Sequence, residues 1–275
     1  MLWDFQPPPA CQIGRVTSPA FRPSAAELLA PLRAPGGPWS RRELEAWTIG
    51  DSRHALECFA LAGPPGGGEV LRVGIFAGIH GDEMAGIAAA ARFLPLVAAE
   101  PEIARGYELT VYPLCNPSGL AIGTRCAASG RDLNREFWRG SAEREVLLLE
   151  HELRAGRFDG LVALHADDES PGLYAFALGA QVTAHVVEPA LLAAERFLPR
   201  NRHPVIDNFT ARNGLIRQGY PGMLCAPPEQ NPRPFEIVFE TPTQAEFELQ
   251  VQANLAFLHT ALEHYAQLRA IAQDL

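Results

Sequence analysis

The sequence lacks the features that mark several large classes of protein. Its 275 residues carry 32 acidic and 23 basic side chains, a net charge of −9, so we expect no basic surface for nucleic acid or an anionic membrane. No run of about 18 apolar residues is present to span a bilayer. The amino-terminal stretch also lacks the charged and apolar regions of a secretory signal. We therefore predict a cytoplasmic protein that binds neither nucleic acid nor membrane.

Cysteine is scarce, and its spacing is irregular. The five cysteines are odd in number, and no two of them are spaced as Cys-x-x-Cys. This makes a poor disulfide framework and a poor cysteine–zinc site. The sequence also contains no Gly-x-Gly-x-x-Gly fingerprint and no phosphate-binding loop, so neither of these nucleotide-binding motifs is available.

Apolar strands alternate with helical segments along most of the chain. Residues 1–40 are rich in proline and are predicted to be an N-terminal extension, whereas residues 41–275 are predicted to form one domain. The main predicted strands are 70–77, 107–114, 161–166 and 235–240. The main predicted helices are 84–99, 141–155 and a last helix, which begins at the capping box of residues 243–246 and continues with helically spaced apolar residues as far as 271. This alternation predicts an α/β fold with a mixed, mostly parallel central sheet flanked by helices.

Polar caps predict where three of the helices begin. Ser24 to Glu27 and Thr243 to Glu246 both have the spacing of a capping box, in which the first side chain and the last one each bond a backbone N–H. Ser141 is expected to cap the helix that follows it.

Polar side chains follow four of the predicted strands. His80 and Glu83 follow the first, Asn116 follows the second, His165 closes the third and Glu240 closes the last. In open α/β sheets, ligands bind outside the carboxyl ends of the strands. One such strand end is ordinary, but four on successive apolar strands are hard to explain by stability alone.

Three of these residues suit a catalytic zinc ion. His80, Glu83 and His165 supply two imidazoles and one carboxylate, which leaves one coordination position for water. Zinc lowers the pKa of bound water from about 15.7 to about 7. Glu240 is the candidate to take that proton, and Glu236, on the same strand face but deeper, is the lesser candidate. Outside the ligands, a further carboxylate can hold a ligand imidazole in the required tautomer, and Asp132 is our candidate.

Each residue alone also has a simpler explanation. His80 fits a loop histidine, His165 fits a hydrogen-bonded core histidine, and Glu240 fits a strand end beside a helix cap. Residues 131–135 fit a surface cluster of salt bridges. Their joint occurrence, in this order and at these strand ends, favours the metal site.

Four segments resemble a known family. HGDE (80–83), TRCAASGRDLNREFW (124–138), LHADDE (164–169) and FETP (239–242) are similar to the zinc carboxypeptidase superfamily, which includes succinylglutamate desuccinylases and aspartoacylases. The resemblance extends from around residue 70 to the end of the chain, and DLNR is its most specific part. It implies a zinc carboxypeptidase-like domain over 41–275. It also implies one Zn²⁺ ion held by His80, Glu83 and His165.

The resemblance implies the chemistry of the site. Glu240 would be the general base and proton shuttle. Arg125 would polarise the scissile carbonyl, a role for which Arg131 is less suited because it abuts Asp132. Asp132 would orient the imidazole of His80.

The resemblance also implies how substrate is held. Asn134 and Arg135 would bind a substrate carboxylate, because a guanidinium can donate two parallel hydrogen bonds to it. Tyr220 matches the tyrosine that closes over substrate in carboxypeptidases.

The implied reaction is hydrolysis of an amide bond next to a free carboxylate in a small peptide, of carboxypeptidase or murein-peptide-amidase type. The ending ETP resembles the peptidase branch. The chain leaves no room after its last helix for the β-rich C-terminal domain of desuccinylases and aspartoacylases. The alternatives are N-acyl amino-acid deacylation and a catalytically silent module that binds carboxylates. Another divalent metal would also fit the same ligand set.

Overall fold

The apolar runs of the sequence become the strands of one sheet. The computed structural model describes residues 23–271. In that range the strands are β1 (Ser40–Ile49), β2 (Ser52–Ala62), β3 (Leu71–Ala77), β4 (Tyr107–Tyr112), β5 (Gly160–Asp167), β6 (Tyr174–Ala177), β7 (Val205–Ile206), β8 (Phe209–Arg212), β9 (Leu215–Ile216) and β10 (Phe235–Pro242). The α-helices are α1 (Ala25–Arg33), α2 (Met84–Ala99), α3 (Pro117–Ile122), α4 (Arg144–Gly156), α5 (Ala180–Val182), α6 (Glu188–Ala194) and α7 (Phe247–Ile271).

The ten strands lie in the order β1-β2-β4-β3-β5-β10-β6-β9-β8-β7. The four central strands, β4, β3, β5 and β10, run parallel to one another. Antiparallel pairs flank them on both sides, at β2–β4 and at β10–β6. The predicted mixed sheet is thus confirmed, with its parallel strands at the centre.

Helices cover both faces of the central strands, which explains why these strands are apolar almost throughout. On one face α2 and α7 pack on the sheet, and the ring of Phe239 in β10 stacks on Phe257 of α7 with centroids 4.0 Å apart. On the other face, Val146 and Leu149 of α4 join the cluster around Phe76 of β3. The sheet is therefore rigid where its carboxyl ends carry polar residues.

Only one of the three predicted helix caps forms. Ser24 and Glu27 make the capping box of α1. However, α4 begins at Arg144, because the Ser141 hydroxyl donates to Glu136 and accepts the N–H of Glu143 before the helix starts. The Ser141 prediction is therefore wrong.

The box at the start of α7 is also absent. The N–H of Thr243 donates to the carbonyl of Asp167, 2.9 Å away, which holds Thr243 beside the sheet. Its buried hydroxyl has no partner among the described residues, and α7 begins only at Phe247. Tertiary contact thus overrides the local signal.

Helix α1 packs into the main core. Leu28, Leu29 and Leu32 are buried in the cluster that contains α2 and α7. Arg33 at its end donates to the buried Glu57 of β2 at 2.6 Å. Residues 1–22 lie outside the described range, and the predicted domain boundary at residue 40 stays a prediction.

Two expectations drawn from composition can be compared with the structure. Cys58, Cys115 and Cys225 are free, but Cys126 is disulfide-bonded, so the odd number of cysteines did not exclude a disulfide. Among the described helices, none combines the length and the apolar character needed to cross a bilayer.

Candidate metal site and active-site cavity

The site lies where the order of the sheet changes direction. The chain leaves β3 for β4 on one side, whereas β5 lies on the other side of β3. Such a switch point opens a crevice at the carboxyl ends of the strands. His80 and Glu83 occupy the loop after β3, and His165 lies near the end of β5. Only glycine fits at position 81 in that loop, since a Cβ there would lie 2.1 Å from the carbonyl carbon of Gly119.

Three donor atoms converge in this crevice. His80 Nδ1 lies 2.5 Å from Glu83 Oε1 and 3.2 Å from His165 Nδ1, and His165 Nδ1 lies 2.9 Å from Glu83 Oε2. The side chains are 2%, 4% and 1% exposed for His80, Glu83 and His165. Among residues 23–271 they form the one group of three that could hold a metal ion.

The spacing of the two imidazole nitrogens fits two ligands of one tetrahedrally coordinated ion. Two nitrogens bound at about 2.0–2.1 Å and at the tetrahedral angle lie about 3.3 Å apart, close to the 3.2 Å between the two Nδ1 atoms. Three buried electron-pair donors around one point repel one another unless a cation or protons lie between them. Burial would raise the pKa of Glu83, but the adjacent imidazoles lower it well below its ordinary value. The carboxylate is therefore ionised and available to a cation.

Asp132 links the donor set to an arginine. Its Oδ1 lies 3.2 Å from His80 Nε2, and its Oδ2 accepts from Arg125 Nε at 3.2 Å. A proton on Nε2 leaves the Nδ1 lone pair of His80 facing the site. The Arg125 guanidinium also lies 3.6 Å from Glu83 Oε1. The structure therefore brings the predicted orienting carboxylate and the predicted electrophilic arginine to the donor set.

Glu240 adjoins the donor set through the sheet. In the parallel pair of β10 with β5, Glu240 is in register with His165. Burial raises the pKa of Glu240 to about 8, with the charges of Glu83 and Asp167 adding to the rise. No hydrogen bond from a described residue engages its carboxylate, so Glu240 is free to exchange a proton near neutral pH.

The carboxylate of Glu236, the lesser candidate for the proton acceptor, is already hydrogen-bonded. Its carboxylate accepts the N–H of Ala226 at 2.9 Å and a guanidinium N–H of Arg233 at 2.7 Å. It does not line the cavity that contains Glu240. The structure therefore favours Glu240 over Glu236 as a proton acceptor.

A cavity of about 850 Å³ opens in front of the donor set. Arg125, Asn134, Arg135 and Tyr220 all line it together with Glu240, as the sequence predicted for one site. Its further lining includes Asp167, Asp168, Tyr174 and Asp207. The cavity thus places two arginines and several carboxylates around the same space.

The predicted carboxylate-binding pair has free donors. Asn134 is buried, and its side-chain oxygen accepts the N–H of Leu224 at 2.8 Å, which leaves its NH₂ group without a partner among the described residues. Arg135 donates one N–H to the carbonyl of Asn134 at 2.8 Å, and its guanidinium lies 4.1 Å from the ring centre of Tyr220. The remaining N–H groups of Arg135 are available to a ligand.

One family profile matches part of the chain. Residues 69–201 match the profile of the succinylglutamate desuccinylase/aspartoacylase catalytic domain. This stretch is just under half of the chain and contains all three donor residues. Over this stretch the chain is similar to that catalytic domain. The comparison with curated proteins found no match.

Solved structures show the same fold. A candidate metallopeptidase from Shewanella denitrificans OS217 superposes with a TM-score of 0.68 at 22% identity, over 83% of this chain and 84% of that one. A metallo-carboxypeptidase from Burkholderia cenocepacia superposes with a TM-score of 0.66 at 19% identity, over 88% of this chain and 68% of that one. A metallo-carboxypeptidase from Pseudomonas aeruginosa superposes with a TM-score of 0.54 at 22% identity, over 83% of this chain and 65% of that one. Its structure was solved in complex with (2-guanidinoethylmercapto)succinic acid. At such identities the similarity shows the fold alone, and this α/β fold with a mixed central sheet is the predicted one.

Two polar residues singled out in the sequence lie away from the cavity. Asn116 is fully buried, and its side-chain oxygen caps α3 by accepting the N–H of Gly119 at 2.7 Å. Arg131 is exposed and pairs with Glu136 at 3.2 Å and Glu143 at 3.4 Å. Both are structural, and the lower rank given to Arg131 as the electrophilic arginine agrees with this position.

Tyr174 and Asp207 are among the cavity residues that were not predicted from the sequence. Tyr174 donates its hydroxyl to Asp167 at 2.8 Å, and Asp207 accepts the hydroxyl of Tyr220 at 2.8 Å. Asp207 and Asn208 form the two-residue turn between β7 and β8, with φ of 50° and 64°. An Asp-Asn pair is a turn signal, but nothing in residues 200–233 indicated which cavity the turn would reach.

Proposed function

We propose that this protein is a zinc-dependent hydrolase that cleaves an amide bond next to a free carboxylate. The observation that carries the proposal is the convergence of His80, Glu83 and His165 at one point, beside an unengaged Glu240. Two arginines that line the same cavity supply the positive charge that a carboxylate substrate requires.

His80, Glu83 and His165 would hold the ion. Zn²⁺ in such a set acts as a Lewis acid and generates a nucleophile at neutral pH. Asp132 would hold His80 in the tautomer whose Nδ1 faces the site, since its Oδ1 lies 3.2 Å from His80 Nε2.

Glu240 would transfer the protons. Its pKa of about 8, raised by burial, suits a group that accepts a proton from the attacking water and returns it to the leaving amine. Arg125 would stabilise the negative charge that develops on the carbonyl oxygen, because its guanidinium already lies beside Glu83.

Asn134 and Arg135 would bind the carboxylate of the substrate. The free NH₂ group of Asn134 and the free N–H groups of Arg135 face the cavity together. A fork of guanidinium donors fixes both the position and the direction of a carboxylate. The scissile amide would then lie toward the donor set.

The substrate belongs to one of two classes. We favour a peptide cleaved beside its C-terminal carboxylate, as in a carboxypeptidase or a murein-peptide amidase. Three solved relatives with this fold are named metallopeptidases or metallo-carboxypeptidases, which supports this reading. The match of residues 69–201 to the desuccinylase/aspartoacylase profile favours the second class, N-acyl amino acids.

A substrate panel separates the two classes. Zinc-loaded protein is assayed with short peptides ending in glycine, lysine or arginine and with N-succinyl and N-acetyl amino acids. We expect turnover of the peptides, with the basic ones included because Asp167 and Asp168 line the cavity. Turnover of only the N-acyl amino acids would move the protein to the deacylase class. Bound zinc without any turnover would leave a silent carboxylate-binding module.

A further inference from the structure

The ring of Tyr220 is held by several groups at once. The Arg135 guanidinium carbon lies 4.1 Å from its centre, and Phe209 contacts it edge-on with centroids 4.7 Å apart. Its hydroxyl donates to the backbone carbonyl and to the carboxylate of Asp207, each at 2.8 Å. A tyrosine with its ring packed and its hydroxyl bonded has little freedom to swing.

The segment that carries Tyr220 is fastened to the segment that carries Arg135. The carbonyl of Gly222 accepts the N–H of Phe137 at 3.0 Å, and Asn134 accepts the N–H of Leu224 at 2.8 Å. Gly222 has a φ of 82°, and a Cβ there would lie 2.3 Å from the carbonyl oxygen of Arg135. The two segments therefore behave as one packed unit.

Asp207 occupies a costly backbone conformation. Its φ is 50°, in the left-handed region, where glycine has the lowest cost and where asparagine and aspartate are tolerated best among other residues. The turn itself would accept glycine, so its geometry alone does not require a carboxylate. What the carboxylate adds is a charged second acceptor for the Tyr220 hydroxyl, beside the backbone carbonyl of Asp207.

We propose that Asp207 and Tyr220 are positioning residues that hold the Arg135 guanidinium ready for a substrate carboxylate. Tyr220 is then a fixed platform for Arg135 instead of a mobile cover over the substrate. A free arginine side chain loses rotamer freedom when it binds, and a guanidinium held in advance avoids that cost. This inference rests on the proposed function, because that function assigns the carboxylate to Arg135.

The test uses zinc-loaded, full-length protein and two readouts. The first is the Kd for succinate by calorimetry, and the second is kcat and KM for the best substrate of the panel. Tyr220→Phe keeps the ring but removes the hydroxyl, and Asp207→Ala removes the side-chain acceptor while leaving the backbone carbonyl. Asp207→Asn keeps one accepting oxygen and is the matched control, while Arg135→Lys keeps charge but loses the fork. Thermal unfolding confirms that every variant is folded.

We expect Tyr220→Phe and Asp207→Ala each to raise the succinate Kd and KM by about three- to tenfold, as for the loss of one hydrogen bond. The kcat should stay within about twofold, because the chemistry is untouched. The double variant should bind succinate no more weakly than the weaker of the two single variants. Asp207→Asn should retain most of the wild-type affinity for succinate. Arg135→Lys should lose most of it.

Several results would overturn the platform. In the first, the increases in succinate Kd of the two single variants multiply in the double variant. In the second, Asp207→Asn binds succinate as weakly as Asp207→Ala. In the third, kcat falls while KM is unchanged. An unchanged succinate Kd in Arg135→Lys would also overturn the proposal, since Arg135 would then bind no carboxylate. If the wild type hydrolyses nothing on the panel, the proposed hydrolase fails, but the succinate affinities still decide the platform.

Discussion

Replacing Asp132 by asparagine tests how the donor set is oriented. Burial would raise the pKa of Asp132, but the hydrogen bond with His80 and the positive charge of Arg125 lower it well below its ordinary value. It is therefore ionised and serves His80, Arg125 and the N–H of Asn134 with its two oxygens. Asparagine presents one oxygen and one NH₂ group, so it cannot accept from all of these donors.

The expected loss follows from the tautomer of His80. When the single oxygen of the asparagine faces Arg125 and its NH₂ group faces Nε2, no acceptor remains at 3.2 Å from Nε2, and the proton is free to move to Nδ1, the atom that faces Glu83 and His165. A protonated Nδ1 cannot bind a metal. Loss of such an orienting partner costs about 10- to 100-fold in metal affinity, or about 1.4 to 2.8 kcal/mol.

Zinc affinity is measured by competition with a chelator of known affinity at neutral pH. Asp168→Asn is the matched control, because Asp168 lines the same cavity and is exposed, with no hydrogen bond to a described residue. We expect the control to bind zinc like the wild type. An Asp132→Asn protein with unchanged zinc affinity would refute the assignment of Asp132 as the group that orients His80.

Three further predictions concern the base, the ligands and α1. Glu240→Gln should lower kcat by about 10² to 10⁴ while zinc still binds, and Glu236→Gln, the same change outside the cavity, should keep most of the rate. His80→Ala should lose zinc by elemental analysis. Glu57→Gln should lower the free energy of unfolding at pH 7 by about 1 to 3 kcal/mol, and the deficit should shrink in acid.

The acid dependence follows from the partners of Glu57. Burial would raise its pKa, but hydrogen bonds from Arg33 and Arg41 lower it below the ordinary 4.5. A lowered folded-state pKa stabilises the protein above pH 4.5, and this contribution is lost as the pH falls through the folded-state value. Denaturant unfolding at several pH values measures it, and a deficit that persists in strong acid would contradict this account.

Two results would contradict the predictions for Glu240 and His80. A Glu240→Gln protein with wild-type turnover would remove that carboxylate from the reaction. Stoichiometric zinc in His80→Ala would contradict its place among the ligands.

The convergence of the three candidate metal ligands could be predicted because their positions follow from the sheet. Apolar runs identified β3 and β5, and the carboxyl ends of neighbouring parallel strands meet at one edge. His80 and Glu83 on one strand end and His165 on the other therefore had to approach one another. The predicted position of Glu240 held for the same reason, since β10 pairs with β5.

The far wall of the cavity could not be predicted in this way. Strands β7, β8 and β9 are two to four residues long, too short for an alternating pattern to show. Asp207 reaches the cavity only because this small sheet folds back toward Tyr220. Ser141 and Thr243 failed as caps because other contacts engaged them. The Ser141 hydroxyl donates to Glu136, and the backbone N–H of Thr243 donates to Asp167, which is distant in sequence.

The in-register pairing of β10 with β5 has a consequence for redesign. The backbone ladder of the two strands spaces Glu240 from His165, and no loop takes part in that spacing. Tyr220 and Asp207 instead belong to a surface excursion between β6 and β10. A library confined to residues 203–220 would therefore alter the contacts of Arg135, and with them the ligand preference, while leaving the spacing of Glu240 from His165 in place.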